Sequence, residues 1–440
     1  MKARLLPGVL VLLSCFAAPR VLAQTNTEIN AGLQFNFSNP GARSLALGGA
    51  FMGLADDATA AYTNPAGLVN LSRPEISLEG RYFEYKNEFL DKGHANGTAT
   101  GNGLDNIDGP VFKEDKDHVT NLNFASFVYP GSGWAIAGYR QELANFEAHS
   151  ETQGAFFTNP DGSTSRFFPV QASVRLKIVN YGISGAVRLA EGLSLGVGGF
   201  WSKYTQTTNL TRYNLGDIDN DLPCFVTNTA CSVADNERVD GDDSTFSFNA
   251  GLLWKVSRAF SIGAVYRKGP QFDFTTTATD TTGAEVVNQK GHFRVPDIYG
   301  AGLAARPTDY LTITFDYDRV LYSQFAPDHF VDIFGDANGI PEPQNYKIDD
   351  GNEYRAGVQW AIPMGQNVLA LRVGWWSDPD HKVHYTGAQI DEQILFQSGK
   401  TENHYCGGVG FSAGQHFQFD LGIDSSSLVT TGAASAVFRF

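Results

Sequence analysis

The sequence is poor in cysteine, methionine and basic residues. Its 440 residues include 4 Cys and 3 Met, and 32 basic residues against 47 acidic ones give a net charge of −15. A chain this acidic is not expected to bind nucleic acid, because that binding depends on Lys and Arg contacts to phosphates. The 9 His show no metal-ligand spacing, and no Ser–His pair can be assigned by spacing. We therefore expect no metal, no cofactor and no enzymatic activity.

Long apolar runs are absent after the N-terminus. Residues 1–23 begin with Lys2 and Arg4, continue with an apolar run at 5–18 and end at Ala23, which is the layout of a secretory signal peptide cleaved after Ala23. The run is too short to span a bilayer, and no later segment approaches the roughly 20 apolar residues of a membrane helix. The protein is thus predicted to be exported.

Two of the cysteines lie close together, in PCFVTNTACS (223–232). An oxidising compartment allows Cys224 and Cys231 to close a small loop as a disulfide. Two free thiols are the alternative, since His ligands for a zinc site are not nearby. Cys406 is left single within an alternating segment, where we expect a small packed side chain.

From about residue 74 onward, apolar side chains recur at every second position. Clear examples are LSLGVGGFW (193–201), FSIGAVYRK (260–268), LTITFDYDR (311–319) and FQFDLGIDS (417–425). A period of two over eight to ten residues predicts a half-buried β-strand. Aromatic residues near the strand ends, with small or polar residues on the opposite face, are typical of a β-barrel in a bilayer.

Fourteen such strands are predicted, near 75–89, 120–129, 133–149, 171–189, 193–210, 244–255, 259–275, 291–305, 310–325, 350–362, 366–377, 402–412, 416–425 and 431–440. The connections alternate between short turns and long polar stretches, except for the last one. An even strand number with short periplasmic turns and long outer loops is the outer-membrane signature. The sequence therefore predicts an all-β fold: a 14-stranded antiparallel transmembrane β-barrel at 74–440, in the outer membrane of a Gram-negative bacterium. A soluble β-sandwich is the alternative, but it would not segregate loop lengths in this way.

The last strand is predicted to carry an assembly signal. AASAVFRF ends on Phe440, with Phe438 on the same face. A terminal aromatic residue on an alternating strand is similar to the signal that the barrel assembly machinery recognises. We therefore expect that machinery, and the lipid and lipopolysaccharide of the outer membrane, among the partners.

About fifty residues (24–73) separate the signal peptide from the barrel. NPGARSLALGGAFMGLADDATAAYTNPAGL (39–68) is too apolar for a linker and too rich in Gly for a stable helix. Asp57 is expected to cap a short helix that Pro65 ends. Fourteen strands enclose more space than their own side chains fill, so residues 24–73 are predicted to be a small hatch, or plug, inside the lumen.

The hatch contains a recognisable motif. GGAFMGLADDATAAYTNPAGL (48–68), with Asn64, Pro65 and Ala66, resembles the hatch signature of the FadL/TodX (OMPP1) family of outer-membrane transport proteins. The segments 293–325 and LRVGWWSDPD (371–380) resemble that family as well. The hatch motif also resembles PorV-type barrels of a secretion system, so a barrel that binds exported proteins is the alternative function.

The FadL/TodX resemblance implies a monomeric channel for passive uptake of hydrophobic molecules, such as long-chain fatty acids or aromatic and alkane hydrocarbons. It implies that outer loops catch the ligand, that a pocket beside the hatch binds it, and that it leaves sideways into the membrane. The exit would be at an inward kink of the third strand, near the Asn-Pro-Ala motif. By position this strand is Gly133–His149, whose residues do not themselves predict a kink.

The hatch supplies the candidate substrate-binding side chains, because an apolar pocket with a few polar groups suits such ligands. The candidates are Phe35, Phe37, Leu45, Leu47, Phe51, Met52 and Leu54. The alternative for each is that it only packs the hatch against the wall. For Arg43 a structural salt bridge is expected in preference to a ligand carboxylate.

Overall fold

The computed structural model describes residues 37–167, 169–215, 222, 224–280, 282–325 and 343–440. The predicted signal peptide and Phe35 lie outside these residues. Within the described ranges, no helix is long and apolar enough to cross a membrane. The same ranges bring together no group of three or more His, Cys, Asp or Glu side chains that would suit a metal ion.

The predicted closed barrel of 14 antiparallel strands is confirmed. The strands are β1 (Glu75–His94), β2 (Gly109–Pro130), β3 (Trp134–Thr152), β4 (Val170–Ala190), β5 (Leu193–Tyr213), β6 (Val233–Lys255), β7 (Phe260–Arg267 and Gln271–Thr279), β8 (Glu285–Arg294 and Ile298–Ala305), β9 (Leu311–Val320), β10 (Gly351–Met364), β11 (Asn367–Asp378), β12 (Glu402–Ala413), β13 (Phe417–Ser425) and β14 (Val429–Arg439). Each strand pairs with the next, and β14 returns to β1 with Arg439 opposite Glu75. Closure leaves no free sheet edge, which is the condition for a sheet to lie in lipid.

The two faces of the wall differ in polarity. Ile183 on β4 and Leu421 on β13 are exposed, whereas their neighbours Ser184 and Asp420 are buried. Apolar residues outside and polar residues inside are the pattern of a lipid-embedded barrel. Exposed aromatic side chains form a belt at the outer-loop end, namely Tyr82, Tyr181, Trp201, Phe246, Tyr299, Tyr354 and Tyr405. A second belt at the short-turn end comprises Tyr129, Trp134, Trp254, Tyr310, Trp360 and Phe417.

Some strand boundaries differ from the predicted ones. β2 starts at Gly109 and β6 at Val233, well before the predicted 120 and 244. These strands have 22 and 23 residues, far more than the roughly 9–11 that cross a bilayer. Their outer parts carry charges on both faces because they stand in water, so they lack the alternation that identified the rest. The predicted strand 310–325 ends at Val320 and is followed by a 3₁₀ turn, Tyr322–Phe325.

Two prolines interrupt β7 and β8 at the same height. Pro270 and Pro296 have no N–H to donate to the ladder. Val295 N donates to the Pro270 carbonyl at 2.9 Å, and Gly269 N donates to Asp297 Oδ1 at 2.9 Å. Because the two prolines lack this donor, each strand is divided into two parts. The two bonds connect the strands across the break.

Residues Phe37–Leu71, here called the N-terminal segment, lie against the inner face of the wall. The segment contains the helices α1 (Ala42–Ala46) and α2 (Ala60–Thr63) and the 3₁₀ helix Pro65–Asn70. Thr59, not Asp57, is the N-cap of α2, and Asp57 Oδ1 accepts the Thr59 N–H at 3.0 Å.

Wall side chains hold the backbone of the N-terminal segment. Ser184 Oγ donates to the Ala61 carbonyl at 2.6 Å, and Asn249 Nδ2 donates to the Tyr62 carbonyl at 2.7 Å. Ser261 Oγ donates to the Gly53 carbonyl at 2.7 Å. Carbonyl groups that a short helix or loop leaves free are thereby satisfied inside the barrel.

Glycines on the wall allow this close approach. A Cβ at Gly263 would meet the Met52 carbonyl carbon at 2.6 Å, and a Cβ at Gly422 would meet the Ala42 carbonyl oxygen at 2.5 Å. Gly196 and Gly374 meet backbone atoms of the segment equally closely, and Gly251 and Gly408 meet the side chains of Asn64 and Ala46. The segment therefore packs backbone to backbone against strands distributed around the wall.

We expect Gly263→Ala to loosen the N-terminal segment, because the added methyl group overlaps its backbone. Overpacking of this kind costs about 1–3 kcal/mol. Limited proteolysis of the folded barrel measures the effect as faster cleavage within 37–71. Gly199→Ala is the matched control, since a Cβ at Gly199 meets open space; equal cleavage of the two variants would contradict the packing role.

Candidate functional site

Asn64 of the predicted hatch motif links the segment to itself and to the wall. Its Nδ2 donates to the Met52 carbonyl at 2.9 Å and to the Leu252 carbonyl of β6 at 3.2 Å. Its Oδ1 accepts the Ala66 N–H at 3.2 Å and so caps the 3₁₀ helix, in which Pro65 occupies the first turn. The three motif residues are buried. The motif lies against β5 and β6, whereas the neighbouring Tyr62 contacts β3 through Tyr139.

Carboxylate and guanidinium groups of β9 and β10 hold the other arm of the segment. Asp316 Oδ2 accepts the Phe51 N–H at 2.6 Å and the Met52 N–H at 2.7 Å. Arg355 donates to the Gly48 carbonyl at 3.2 Å and pairs with Asp318 at 3.4 Å. Charge-assisted bonds in a buried place contribute more than neutral ones, so this contact is a principal anchor of the segment.

Arg43 forms the expected salt bridge and continues into a polar chain. It pairs with Asp56 at 2.7 Å and donates to Gln359 at 3.1 Å. Arg372 also donates to Gln359, at 2.8 Å, and pairs with Asp420 at 2.7 Å. These groups fill the space between the segment and the wall with paired charges, which offers no favourable path to an apolar solute.

The six described candidate side chains are all buried but fall into separate places. Leu47, Phe51 and Leu54 pack on Ala304 of the wall. Leu45 packs with Ala42 and Ala433. Met52 is 2% exposed and lies next to Gly300. Phe37 alone among them joins the large apolar cluster described next.

A continuous cluster of buried apolar side chains, here the lumen cluster, lines the inner face from the segment to the outer loops and also reaches Val128 and Ala135 near the short-turn end of β2 and β3. Its members of the size of Val or larger are Phe37, Tyr62, Leu68, Val69, Leu71, Tyr85, Phe124, Val128, Tyr139, Leu143, Phe146, Val174, Leu176, Ile178, Phe200, Tyr204, Val239, Phe272, Phe274, Phe293, Val295, Ile298, Val320, Tyr322, Phe325, Tyr346, Ile348, Val383, Tyr385, Phe396 and Val429. Aromatic rings dominate it: Tyr204, Phe272 and Phe293 contact one another at centroid distances of 4.8–5.5 Å. A water-filled pore has a polar interior, so this half of the lumen is suited to apolar solutes.

Arg267 lies where the lumen cluster meets the N-terminal segment. Its guanidinium carbon is 4.3 Å from the centroid of the Tyr62 ring, and Nη2 donates to Asn39 at 3.4 Å. The side chain is 5% exposed, and its Nε has no hydrogen-bond partner. Among the described residues no carboxylate lies within salt-bridge distance of Arg267; Asp318, which attracts its charge, pairs with Arg355 at 3.4 Å. A buried donor without an acceptor costs free energy, so the open Nε makes Arg267 a candidate headgroup-binding residue.

Backbone pairing between β2 and β3 stops at mid-strand, at a place here called the seam. The two strands pair from Pro130 opposite Ala135 only as far as Phe124 opposite Gln141, whereas β3 pairs with β4 up to Thr152. A bulge at Leu143 marks the change in β3. Beyond that point β2 (109–123) and β3 (142–152) have no ladder between them among the described pairs.

Side chains replace the missing ladder at the seam. The Glu147 N–H donates to the Tyr85 hydroxyl at 2.7 Å, and the His149 N–H donates to Asp117 at 3.3 Å. Phe146 contacts the rings of Phe83 and Tyr85 at 5.8 and 5.4 Å, so the lumen cluster reaches the seam. Side-chain contacts part more readily than a continuous ladder, which makes the seam a weak line in the wall.

The outer loops carry a second apolar cluster. Leu90, Ala95, Ala155, Phe157 and Phe167 form it, and Leu395 of the helix Ile390–Leu395 packs on both clusters. On that helix, burial raises the pKa of the Glu392 carboxyl, although the Tyr346 hydroxyl donates a hydrogen bond to it at 2.6 Å.

Cys224 and Cys231 are bonded to each other in the loop between β5 and β6. Cys406 is buried and free.

At the barrel closure, the Phe440 N–H donates to the Pro74 carbonyl at 3.1 Å, and its ring contacts Phe438 at 4.9 Å. The role of Phe440 in assembly stays a prediction.

Comparison with known proteins identifies relatives of this barrel. The family model of the outer membrane protein transport protein (OMPP1/FadL/TodX) matches residues 21–382. A long-chain fatty acid transport protein of Escherichia coli O6:H1 is 26% identical over 320 residues, which are 68% of this chain and 63% of that protein. The chain thus spans just under two thirds of the length of this relative.

Solved structures agree in fold. A Pseudomonas aeruginosa FadL homologue aligns with a TM-score of 0.64 at 12% identity, over 93% of this chain and 100% of that one. The Ralstonia pickettii toluene transporter TbuX aligns with a TM-score of 0.58 at 17% identity, over 92% and 99%. The chain therefore belongs to the outer membrane protein transport protein family, OMPP1/FadL/TodX, whose members are β-barrels of the Gram-negative outer membrane.

Proposed function

We propose that this protein is a channel for passive uptake of hydrophobic molecules across the outer membrane, with long-chain fatty acids or aromatic and alkane hydrocarbons as cargo. The observation that carries the proposal is the lumen cluster, an apolar and aromatic inner face that extends from the outer loops to the N-terminal segment. Polysaccharide and water on either side repel such molecules, whereas an apolar lining lowers their free energy within the wall. The fatty acid transporter among the relatives supports this cargo class.

The first step of the proposed path is capture by the outer loops. The cluster around Phe157 and Phe167 is connected to the lumen cluster through Leu395, so an apolar surface continues from loop to lumen.

The proposed hatch is residues 24–73, of which the structure describes Phe37 onward.

We further propose that the ligand binds beside the hatch, against Phe37 and with its polar head toward Arg267. Phe37 contacts Tyr322 and Phe325 at 6.4 and 6.2 Å, inside the lumen cluster. Leu45, Leu47, Phe51 and Leu54 contact wall residues, so their proposed part is to hold the hatch that closes the floor of the pocket.

Release is proposed to be lateral, through the seam between β2 and β3. The polar chain around Arg43 blocks the direct way to the short-turn end, whereas Leu143 and Phe146 bring the apolar lining to the seam. We also propose that the protein acts as a monomer, since one barrel contains the whole path, and that the assembly machinery inserts it among lipid and lipopolysaccharide.

Uptake by a deletion strain tests the proposed function. Cells lacking the gene, and the same cells carrying it on a plasmid, are supplied with a labelled C18 fatty acid, toluene and an alkane. We expect the plasmid to increase the initial rate of uptake of at least one of these compounds. Equal rates for every compound, with the barrel present at the surface, would overturn the proposal.

Arg267→Gln is expected to weaken equilibrium binding of a C18 fatty acid about tenfold, because one charge-assisted hydrogen bond is worth about 1.5–3 kcal/mol. Binding of the C18 alcohol should remain the same within about twofold. Titration of the purified protein with each compound measures both constants. Arg306→Gln is the matched control, since Arg306 pairs with Asp56 at 3.3 Å and lies outside the lumen cluster; equal losses for acid and alcohol in Arg267→Gln would rule out a headgroup role.

A further inference from the structure

Three charged side chains stand on the lipid-facing side of the wall beside the seam. Arg140 and Glu142 continue the outward row of Trp134 on β3, and Lys177 belongs to the outward row of β4. Charged side chains on this face cost free energy toward the bilayer midplane and little near the interface. Arg140 is paired opposite Tyr181 of the outer aromatic belt, so the group lies at the depth of the lipid headgroups.

Donors from both strands enclose the Glu142 carboxylate. Oε2 accepts from Arg140 at 2.9 Å and from Lys177 at 3.0 Å, and Oε1 accepts from Asn145 at 2.8 Å. The Glu142 side chain is 1% exposed, whereas those of Arg140 and Lys177 are 21% and 42% exposed. Two cations therefore converge on one buried carboxylate and keep part of their surface open to the outside.

Arg140 also connects the two sides of the seam. Its Nη1 donates to the Leu122 carbonyl of β2, immediately beyond the last β2–β3 pair. The guanidinium thus bonds to β2 through a carbonyl and to β3 through Glu142. A group that competes for Arg140 competes at the same time with a contact that keeps the seam closed.

We propose that Arg140 and Lys177 are an exit site for the carboxylate head of an anionic amphiphile leaving through the seam, with Glu142 as the internal carboxylate that it displaces. This rests on the proposed uptake function. The exchange of one carboxylate for another keeps both cations paired, while the released chain enters the outer leaflet. A neutral cargo takes part in no such exchange and passes the seam by its apolar contacts alone.

The proposal differs in its consequences from a purely structural role of the same charges. If Arg140, Glu142 and Lys177 only fasten the seam, their loss affects every cargo alike. If they form an exit site, their loss affects charged and neutral cargo differently. Loss of Glu142 then changes the acid rate in the opposite direction to loss of Arg140 or Lys177.

The test compares two cargoes of equal chain length, a labelled C18 fatty acid and the C18 alcohol, by their initial rates of transfer from the medium into the membrane fraction of cells. With Lys177→Gln we expect the acid rate to fall about tenfold, as for the loss of one charge-assisted hydrogen bond, and the alcohol rate to stay within about twofold. With Glu142→Gln we expect the acid rate to rise and the alcohol rate to be unchanged. Lys290→Gln is the matched control, an exposed lysine on β8 that pairs opposite Thr275, several strands away from Glu142, and it should change neither rate.

Surface levels of folded barrel, from heat-modifiable migration on gels, normalise all rates. An equal fall for acid and alcohol in Lys177→Gln, or a lower acid rate in Glu142→Gln, would overturn the exit site and leave the uptake function standing. If the gene increases neither rate, the exit site fails, whereas the uptake function fails only if the rates for toluene and the alkane are unchanged as well. Equilibrium affinity for the acid should be unchanged in Lys177→Gln, which separates release from binding at Arg267.

Discussion

Deleting residues 37–71 is expected to turn the barrel into an open pore that conducts ions. The wall closes through β1 and β14 and needs no segment residue for its ladder. Fourteen strands enclose a lumen wider than their side chains fill, and the segment with its charge pairs occupies it. Planar bilayer recordings of the purified protein should show stable conductance steps for the deletion and none for the intact chain.

A point variant tests the same claim without removing the segment. Asp316→Ala leaves the N–H groups of Phe51 and Met52 without their acceptor, and we expect transient conductance events from a loosened segment. Asp273→Ala is the matched control, because Asp273 is an exposed carboxylate on the outer part of β7. A deletion variant that folds and yet conducts no more than the intact protein would show that the segment is not what closes the lumen.

Cross-linking the seam is expected to stop uptake of every hydrophobic cargo. Asp117 and His149 face each other across it, so Asp117→Cys with His149→Cys allows a short photocleavable dithiol-reactive linker to join β2 and β3. The path from the lumen cluster into lipid is then closed, and initial uptake should fall about tenfold or more and recover after illumination. A photocleavable linker is needed because a reductant would also attack the Cys224–Cys231 bond.

The control pair for the cross-link is Ser173→Cys with Asn209→Cys, which lie opposite each other where β4 and β5 pair without interruption. Linking them adds the same chemistry at a similar height without closing any gap, so uptake should be unaffected. Normal uptake through a barrel cross-linked at Asp117 and His149 would exclude the seam as the exit.

The barrel was accessible from sequence because lipid and lumen impose opposite demands on alternate residues. The period of two therefore identified the strands wherever they cross the bilayer, and the loop lengths fixed their direction. It did not identify the outer halves of β2 and β6, since in water neither face needs to be apolar. For the same reason the alternation does not extend into residues 109–119, which belong to β2.

The site was harder to predict than the wall. Arg267 follows Tyr266 in FSIGAVYRK, and alternation places it inward, so the sequence pattern alone indicates a cation facing the lumen. The break between β2 and β3 has a weaker signal, Arg140 and Glu142 at outward positions where apolar residues are expected. The partners of Leu47 and Phe51 depend on contacts between residues distant in sequence, which no local pattern contains.

Photolabelling with a diazirine-bearing C18 fatty acid tests the central claim most directly, that cargo moves through the apolar lumen from the outer loops to the seam. After labelling of cells that express the protein, peptide mass spectrometry locates the modified residues. We predict labels around Phe37 and Tyr62, on Phe146 beside the seam, and on the loop residue Phe396, all members of the lumen cluster. Labels confined to the outer loops, or found in the polar chain around Arg43 and Arg372, would contradict the account.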